Sequence, residues 1–178
     1  GEADTRAAAV VLAAGGKAMP QLGGGESGLR LAASLGHRVA PVFAGLVPVK
    51  TDCPYSRQLK GTKVDALATL VVSGGPSESQ WGEVLFTEYG LSGPPLIQLS
   101  LRAARALHDG HGARVVLDLF AQWDPQPLVG HLQSRFEKAG DAQLEHALVG
   151  FCHKRLIAPL LATAGLPRTA AARASVAQ

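Results

Sequence analysis

Residues 81–95 read WGEVLFTEYGLSGPP. The first part, residues 81–87, is rich in β-favouring side chains and predicts a strand. The two prolines at the end are tolerated in the first turn of a helix, because the amide proton that each lacks would be unpaired there. We therefore predict a strand, a glycine-containing turn and a helix that runs to about His108, with Ser92 or Gly93 as its cap.

The segment before this stretch predicts its partner strand. Residues 62–72 contain the β-favouring run ATLVV, and residues 73–77, SGGPS, are a strong turn signal. Residues 62–87 should therefore form a hairpin or two neighbouring antiparallel strands. On the other side of the helix, residues 114–119, RVVLDL, predict a further strand.

The two ends of the chain have different patterns. Near the start, we predict a strand at residues 7–14, then a glycine-rich loop, then a helix at residues 26–35. Pro48 indicates an edge strand or a bulge, and residues 52–60 indicate a loop. After Asp124 the apolar period is helical, and glycines divide the segment into three predicted helices, 125–138, 141–150 and 153–164.

The predicted fold class is α+β and not a repeating βαβ pattern. A strand–loop–helix entry occupies residues 1–44, an antiparallel β-rich middle occupies 45–119, and a helical end occupies 120–178. Only nine residues precede Val10, too few for a nucleotide-binding βαβ unit of about 30 residues. We therefore expect the chain to be a piece of a larger protein.

The composition indicates a folded protein with no nucleic-acid or membrane partner. Hydrophobic residues make up 47% of the 178 residues and charged residues 17%, which favours folding over disorder. The 17 basic and 14 acidic residues give a net charge of +3, too small and too scattered to indicate RNA, DNA or an anionic membrane.

The cysteine usage and the absence of a leader pattern predict a cytoplasmic protein. The two cysteines, Cys53 and Cys152, are far apart and form no CxxC motif, so a reduced compartment is the default. No apolar run of about 18 residues and no charged leader with an apolar segment is found.

The glycine-rich loop is the best candidate site. At Gly15 and Gly16 the backbone N–H groups are free to approach an anionic or planar ligand, and the following helix would present its positive N-terminus. The spacing is neither GxGxxG nor a P-loop, so a plain turn is the other interpretation, and the sequence alone favours it.

Two further pairs of residues could carry chemistry, and each also has a simpler explanation. The pair His108 and His111 could bind a metal, but a solvent-facing turn explains it more easily. The pair Cys152 and His153 could be a thiolate–imidazole pair, but neighbours on a helix point about 100° apart, so a structural cysteine is favoured. We assign no catalytic residue and no metal ligand.

Several motifs, in order, resemble the BaiN-like bacterial flavoproteins, a family of NAD(P)/FAD-dependent oxidoreductases. The resemblance covers nearly the whole chain, and its most specific block is EVLFTEYGLSGP. The matching segments are AAGGKAMP (13–20), GLRLA (28–32), LVPVKT (46–51), EVLFTEYGLSGP (83–94) and HKRL (153–156).

The resemblance implies a role for each part of the chain. Residues 1–44 would be an edge of the FAD-binding domain, and the remainder an inserted domain whose β-rich part the resemblance favours as a small barrel. Gly15 and Gly16 would contact the flavin nucleotide. The chain lacks the GxGxxG and the closing glycine-rich segment of the family, and Ala14 and Ala18 replace a usual Thr and Ser, so we expect it not to hold FAD alone.

We therefore expect part of a bacterial FAD-dependent oxidoreductase, in which the inserted domain covers the flavin and the substrate site. The partners would be the rest of the flavoprotein chain and a small-molecule substrate that the sequence does not identify. The alternative is an autonomous interaction or ligand-binding module without flavin chemistry, recognisable by a large exposed apolar patch.

Overall fold

The computed structural model describes residues 5–172. The chain divides into two compact units, Gly1–Ala44 (unit 1) and Gly45–Gln178 (unit 2). The ends of the predicted segments 1–44 and 120–178 lie outside the described residues.

From residue 5 onward, unit 1 contains one α-helix, α1 (Ser27–Ser34), preceded by a short 3₁₀ turn at Pro20–Leu22. This helix confirms the one predicted at residues 26–35, and it ends at a glycine. Gly36 has a φ of +89°, and the amides of Gly36 and His37 donate to carbonyls of the last turn at 3.0 and 3.1 Å. These two hydrogen bonds form the glycine-dependent arrangement that commonly closes helices.

The strand predicted at residues 7–14 is wrong. The segment has no strand conformation, and Val10 and Val11 are 85% and 90% exposed. An apolar run becomes a strand only when neighbouring strands take up its backbone hydrogen bonds, and no described segment of unit 1 offers such a neighbour.

Unit 2 is built on one five-stranded antiparallel sheet, and the predicted hairpin at residues 62–87 is confirmed. The strands are β1 (Val49–Lys50), β2 (Lys63–Val72), β3 (Glu78–Thr87), β4 (Gly90–Ser92) and β5 (Ala113–Asp118). Their order in the sheet is β1-β4-β3-β2-β5. The two edge strands β1 and β5 do not pair with each other within residues 5–172, so the sheet is a half-barrel and not a closed barrel.

Five helices accompany the sheet in the described part of unit 2, residues 45–172. They are α2 (Ser56–Leu59), α3 (Pro94–His108), α4 (Pro125–Ala139), α5 (Leu144–Ala147) and α6 (Lys154–Thr163). The predictions for α3, α4 and α6 are confirmed. The loop predicted at 52–60 contains the single turn α2, and the helix predicted at 141–150 is reduced to α5. Among residues 5–172, no helix combines the length and the apolar character needed to cross a bilayer.

The main core lies between the sheet and α3, which contacts all five strands. Alternate residues of β2 face inward, as a period of two requires, and Ala66 and Ala68 are completely buried. Leu96 and Leu99 of α3 are 0% and 1% exposed against them. Burying one such leucine contributes about 1.5–3 kcal/mol to the free energy of folding.

The helical end of unit 2 has its own core. Leu144 of α5 is fully buried, and Ile157 and Leu161 of α6 are 5% and 3% exposed. Arg155 joins this end to the sheet, because its guanidinium donates to the carbonyl of Lys60 at 2.8 Å and to the Thr62 hydroxyl at 3.3 Å.

The block GLSGP is fixed by close backbone packing. Gly90 has a φ of +153°, and a Cβ there would overlap the Val49 carbonyl oxygen. Gly93 has a φ of +102°, and a Cβ there would overlap the Glu83 carbonyl oxygen. Only glycine fits both positions, which lets β4 lie between β3 and β1 and lets α3 begin at once.

Candidate functional site

The predicted ligand-binding turn is open to solvent. Gly15 has a φ of +68°, in the left-handed region that favours glycine. A Cβ added to Gly15 or to Gly16 would meet no atom within 4 Å. The backbone of this turn is therefore accessible to a ligand, and no described atom of unit 1 lies close enough to require a glycine at position 16.

Two other glycines pack the turn against the start of α1. A Cβ on Gly28, in the first turn of α1, would lie 2.7 Å from the Ala14 Cβ. A Cβ on Gly24 would lie 2.8 Å from the Gly16 carbonyl oxygen. Small residues thus hold the turn beside a helix N-terminus, where backbone N–H groups favour negative charge.

One ion pair lies next to this turn. The Lys17 ammonium is 2.5 Å from the carboxylate of Glu26, the N-cap residue of α1. The hydrogen bond from Lys17 and its charge lower the pKa of Glu26. Since Lys17 is neutralised by Glu26, an anion bound here would depend on backbone N–H groups and not on a free lysine.

Each of the two other candidate pairs lies at the end of a helix. His108 ends α3 and His111 lies in the following turn, and no group of three metal-ligating side chains occurs among residues 5–172. Burial raises the pKa of the Cys152 thiol, which therefore stays protonated near neutral pH. His153 caps α6 instead, since its Nδ1 accepts the Arg155 amide proton at 3.2 Å.

An aromatic cluster that the sequence does not predict lies in the helical part of unit 2. The rings of Phe120 and Phe151 stack at 4.7 Å, and His131 stacks on Phe151 at 5.7 Å. Trp123 lies 5.1 Å from His131, and the Arg135 guanidinium lies 5.9 Å from the Phe151 ring centre. No sequence signal could have grouped these residues, because they come from three separate segments.

A cavity that the sequence does not predict lies between α3 and the two free edges of the half-barrel. Its volume is about 520 Å³. Its walls are mostly apolar core side chains, and Thr51 and Cys53 add polar atoms. The apolar lining residues are Val49, Leu70, Phe86, Leu91, Ala103, Leu107, Ala113, Val115 and Leu117. Pairing across strands that are distant in sequence creates this space, so local patterns do not reveal it.

These features define a class of protein: a half-barrel wrapped on one helix, followed by a helical subdomain. Residues 43–178 match the family model described as HI0933-like protein barrel and H2TH domain. The chain belongs to this family, and thus to the BaiN-like flavoproteins that its motifs resemble.

Curated relatives include two kinds of enzyme. The chain is 32% identical over 152 residues to the 3-dehydro-bile acid delta(4,6)-reductase of Clostridium scindens, an alignment that covers 85% of this chain and 37% of the reductase. It is 34% identical over 91 residues to the ribosomal RNA dihydrouridine synthase of Escherichia coli, covering 51% of this chain and 22% of that protein. The Haemophilus influenzae synthase is 33% identical over 94 residues. The chain thus spans little more than a third of the length of the reductase and about a fifth of the length of each synthase.

Proposed function

We propose that this chain provides the barrel-and-helix domain, and an edge of the FAD-binding domain, of an FAD-dependent oxidoreductase. In this role unit 2 covers the flavin and shapes the substrate entrance, and the chain has no activity by itself. We place the protein in the cytoplasm, where its two free cysteines would stay reduced.

One observation carries the proposal: the alignment with the bile acid reductase is longer than unit 2 alone, so it extends into unit 1. The similarity therefore includes part of the segment that precedes the half-barrel. A free-standing barrel domain would need no such segment.

The turn at Gly15 and Gly16 fits a flavin nucleotide. The space around both glycines is open, so a planar or anionic group could approach the backbone closely, and a side chain at either position would project into that space. The amides at the start of α1 would stabilise negative charge there. FAD, when bound, would supply the hydride transfer, while this chain would bind and orient the nucleotide.

The apolar surface of unit 1 supports the proposal that its partner is the rest of the flavoprotein chain. Only Gly28 is buried among the described residues of this unit. A groove of about 550 Å³ is lined by apolar side chains that include Val10, Leu12, Leu31 and Leu35. Exposed apolar surface of this kind marks an interaction site, and further strands of a dinucleotide-binding domain would cover it.

A flavin titration tests the proposal. Adding the purified chain to FAD should leave flavin fluorescence unchanged, whereas the complete protein encoded by the same gene should purify with bound flavin and be bleached by NAD(P)H without oxygen. Micromolar binding of FAD to the chain alone would contradict the proposal that the chain contributes only part of the FAD-binding site. A colourless complete protein would overturn the flavin role.

Within the complete protein, Gly16→Val tests the role of the turn. The branched side chain would occupy the open space, so flavin occupancy should fall at least about tenfold. Gly130→Ala, a substitution at an exposed position in α4, is the matched control and should keep full flavin occupancy. Equal occupancy in both variants would show that the turn does not contact the flavin.

We propose a small molecule and not RNA as the substrate. The reductase alignment covers 85% of this chain and the synthase alignment 51%, and the net charge of +3 is low for an RNA-binding protein. Flavin reoxidation by candidate enones, compared with reoxidation by uridine-containing RNA, would decide between these substrate classes.

An interaction module without flavin chemistry is the second candidate, and the exposed apolar groove of unit 1 favours it. The two candidates differ in what covers that groove. If the complete protein binds no flavin while a separate protein co-purifies with it and Leu35→Glu abolishes that association, the interaction module is the function.

A further inference from the structure

One edge of the half-barrel carries unpaired backbone groups. The Ser73 N–H donates to the Gly112 carbonyl at 2.9 Å, so Gly112 directs its backbone polar groups toward β2. These groups alternate along an antiparallel strand, so every second residue from Gly112 onward bonds to β2. The residues between them, Ala113, Val115 and Leu117, point their N–H and C=O groups away from β2. Within residues 5–172, no strand pairs with that side of β5.

The residues that carry these unpaired groups also belong to the main core. The side chains of Ala113, Val115 and Leu117 are partly buried and pack against the core cluster. In contrast, Val116 on the outer face of β5 is 42% exposed. A strand placed beside β5 would therefore continue both the hydrogen-bond ladder and the apolar inner face of the sheet.

The two free edges of the sheet differ in how they are protected. Natural proteins blunt a permanent edge by making the strand very short or by placing proline, lysine or a bulge there. Strand β1 has two residues and follows Pro48, so it has the features of a permanent edge. Strand β5 has six residues and contains neither proline nor lysine. It has the features of an inner strand that lacks one neighbour.

The space beside β5 suits a single strand. Residues 49–53 and β5 line the same cavity of about 520 Å³, so a segment that pairs with β5 has residues 49–53 on its other side. One strand takes up about 4.8 Å in this direction, whereas a second copy would bring a whole half-barrel to the same place. The described residues form half a barrel, while the matching family model is described as a barrel. The alignment covers only 37% of the bile acid reductase, so a protein of that length has further chain to supply a strand.

The outer and inner faces of β5 indicate the chemistry of its missing neighbour. The Arg114 side chain is exposed on the outer face, and it makes no hydrogen bond or ion pair within residues 5–172. Side chains directly opposite each other on adjacent strands have Cβ atoms about 4.5–5.5 Å apart, so an acidic residue opposite Arg114 would be favoured. On the inner face, the neighbour would meet Val115 and Leu117, which requires apolar side chains.

We propose that a single β-strand from the rest of the flavoprotein chain, outside residues 1–178, pairs with the free edge of β5. Its inward side chains are apolar, and its outward side chains include an acidic residue beside Arg114. The strand belongs to the same flavoprotein, so its existence rests on the proposed function. Strand β5 is then the surface of unit 2 that the rest of the chain contacts.

Hydrogen exchange at single amides, measured by NMR, tests this pairing. The comparison is between residues 1–178 and the complete protein encoded by the same gene. In the complete protein, the amides of Val115 and Leu117 should exchange at least about a hundredfold more slowly, since each gains a hydrogen bond in a strand ladder. The Val116 amide bonds to β2 in both proteins and is the internal control, whose rate should change far less. Equal rates for Val115 and Leu117 in the two proteins would overturn the proposal.

The same measurement detects a second copy as the occupant. If a second copy pairs with β5, the amides of Val115 and Leu117 become protected in residues 1–178 alone, and this protection increases with protein concentration. Such concentration-dependent protection would overturn the proposal. Protection that is confined to the complete protein and independent of its concentration supports a strand of the same polypeptide.

A charge reversal tests the acidic residue of the strand. In the complete protein, Arg114→Glu would bring two acidic side chains together, so exchange at Val115 and Leu117 should become several-fold faster. Lys154→Glu reverses an exposed charge on α6 and is the matched control, with unchanged exchange at both amides. Equal exchange in the two variants would overturn the placement of an acidic residue beside Arg114.

The flavin content of the complete protein separates the strand pairing from the flavin role. If the complete protein binds flavin while Val115 and Leu117 exchange as fast as in residues 1–178, the strand pairing is wrong and the flavin role stands. If the complete protein is colourless but protects both amides, the flavin role is wrong and the strand pairing stands.

Discussion

Gly93 shows how one residue sets the start of α3. Its φ of +102° and the Glu83 carbonyl beside it leave no room for a side chain. We predict that Gly93→Ala lowers the free energy of unfolding by about 2–4 kcal/mol, through both backbone strain and overlap. Urea unfolding followed by circular dichroism measures this change.

Gly130→Ala is the control, with the opposite expected sign. Gly130 lies inside α4, and an added Cβ would meet no atom within 4 Å. Alanine at this position should raise the free energy of unfolding by about 0.5–1 kcal/mol, because it restricts the unfolded chain. If both variants unfold at the same urea concentration, close packing at Gly93 is not important for stability.

Cys152 should be an unreactive thiol. Burial raises its pKa, so at any given pH it carries less thiolate than a free cysteine. In a Cys53→Ser variant, native Cys152 should react with iodoacetamide several times more slowly than unfolded protein. As the pH rises through the ordinary pKa of a thiol, the unfolded state ionises first, so stability should fall there. Faster reaction in the native state would contradict the effect of burial.

At the scale of elements, Arg155 attaches α6 to the start of β2. Arg155→Met keeps the apolar stem but removes the hydrogen bonds to Lys60 and Thr62. We expect a loss of about 1 kcal/mol, since the side chain is exposed and its charge is screened. Hydrogen exchange should increase mainly in α6.

Lys154→Met is the matched control, because Lys154 is the exposed neighbour of Arg155 in the same helix turn. It should leave exchange in α6 unchanged. Equal exchange in the two variants would mean that Arg155 does not fasten the helical end to the sheet.

The sequence predicts elements well where a pattern repeats and poorly where tertiary pairing decides. The β2–β3 hairpin has two β-favouring runs with a strong turn signal between them, so local chemistry specifies it. Strand β4 has only three residues, of which the first is Gly90, and it is a strand because β3 and β1 pair with it on both sides. The run at 7–14 has the composition of a strand but no neighbouring strand among the described residues of unit 1.

The candidate site also has a part that local sequence predicts and parts that only tertiary pairing creates. The Gly15–Gly16 turn was predicted from composition, and its contact with a ligand stays a prediction. The half-barrel cavity and the aromatic cluster were not predicted, because each joins segments that are far apart in sequence. Side chains such as Thr51 and Phe120 carry no local signal of what they will face after folding.

At the scale of the whole molecule, stability is distributed unequally. Both hydrophobic core clusters consist entirely of unit 2 residues. Unit 1 buries only Gly28 among its described residues, while Leu22 and Leu35 are 78% and 70% exposed. Apolar burial is the main source of folding free energy, so unit 2 should fold independently and unit 1 should not.

Expression of the two units separately tests this unequal distribution of stability. Residues 45–178 should unfold cooperatively at nearly the same temperature as the whole chain, because they retain both cores. Residues 1–44 should show no cooperative transition, since their apolar groups have too few partners within the unit to offset the conformational entropy of folding. If residues 1–44 fold alone, or if residues 45–178 lose their cooperative unfolding transition, the stability of the chain depends on contributions from both units.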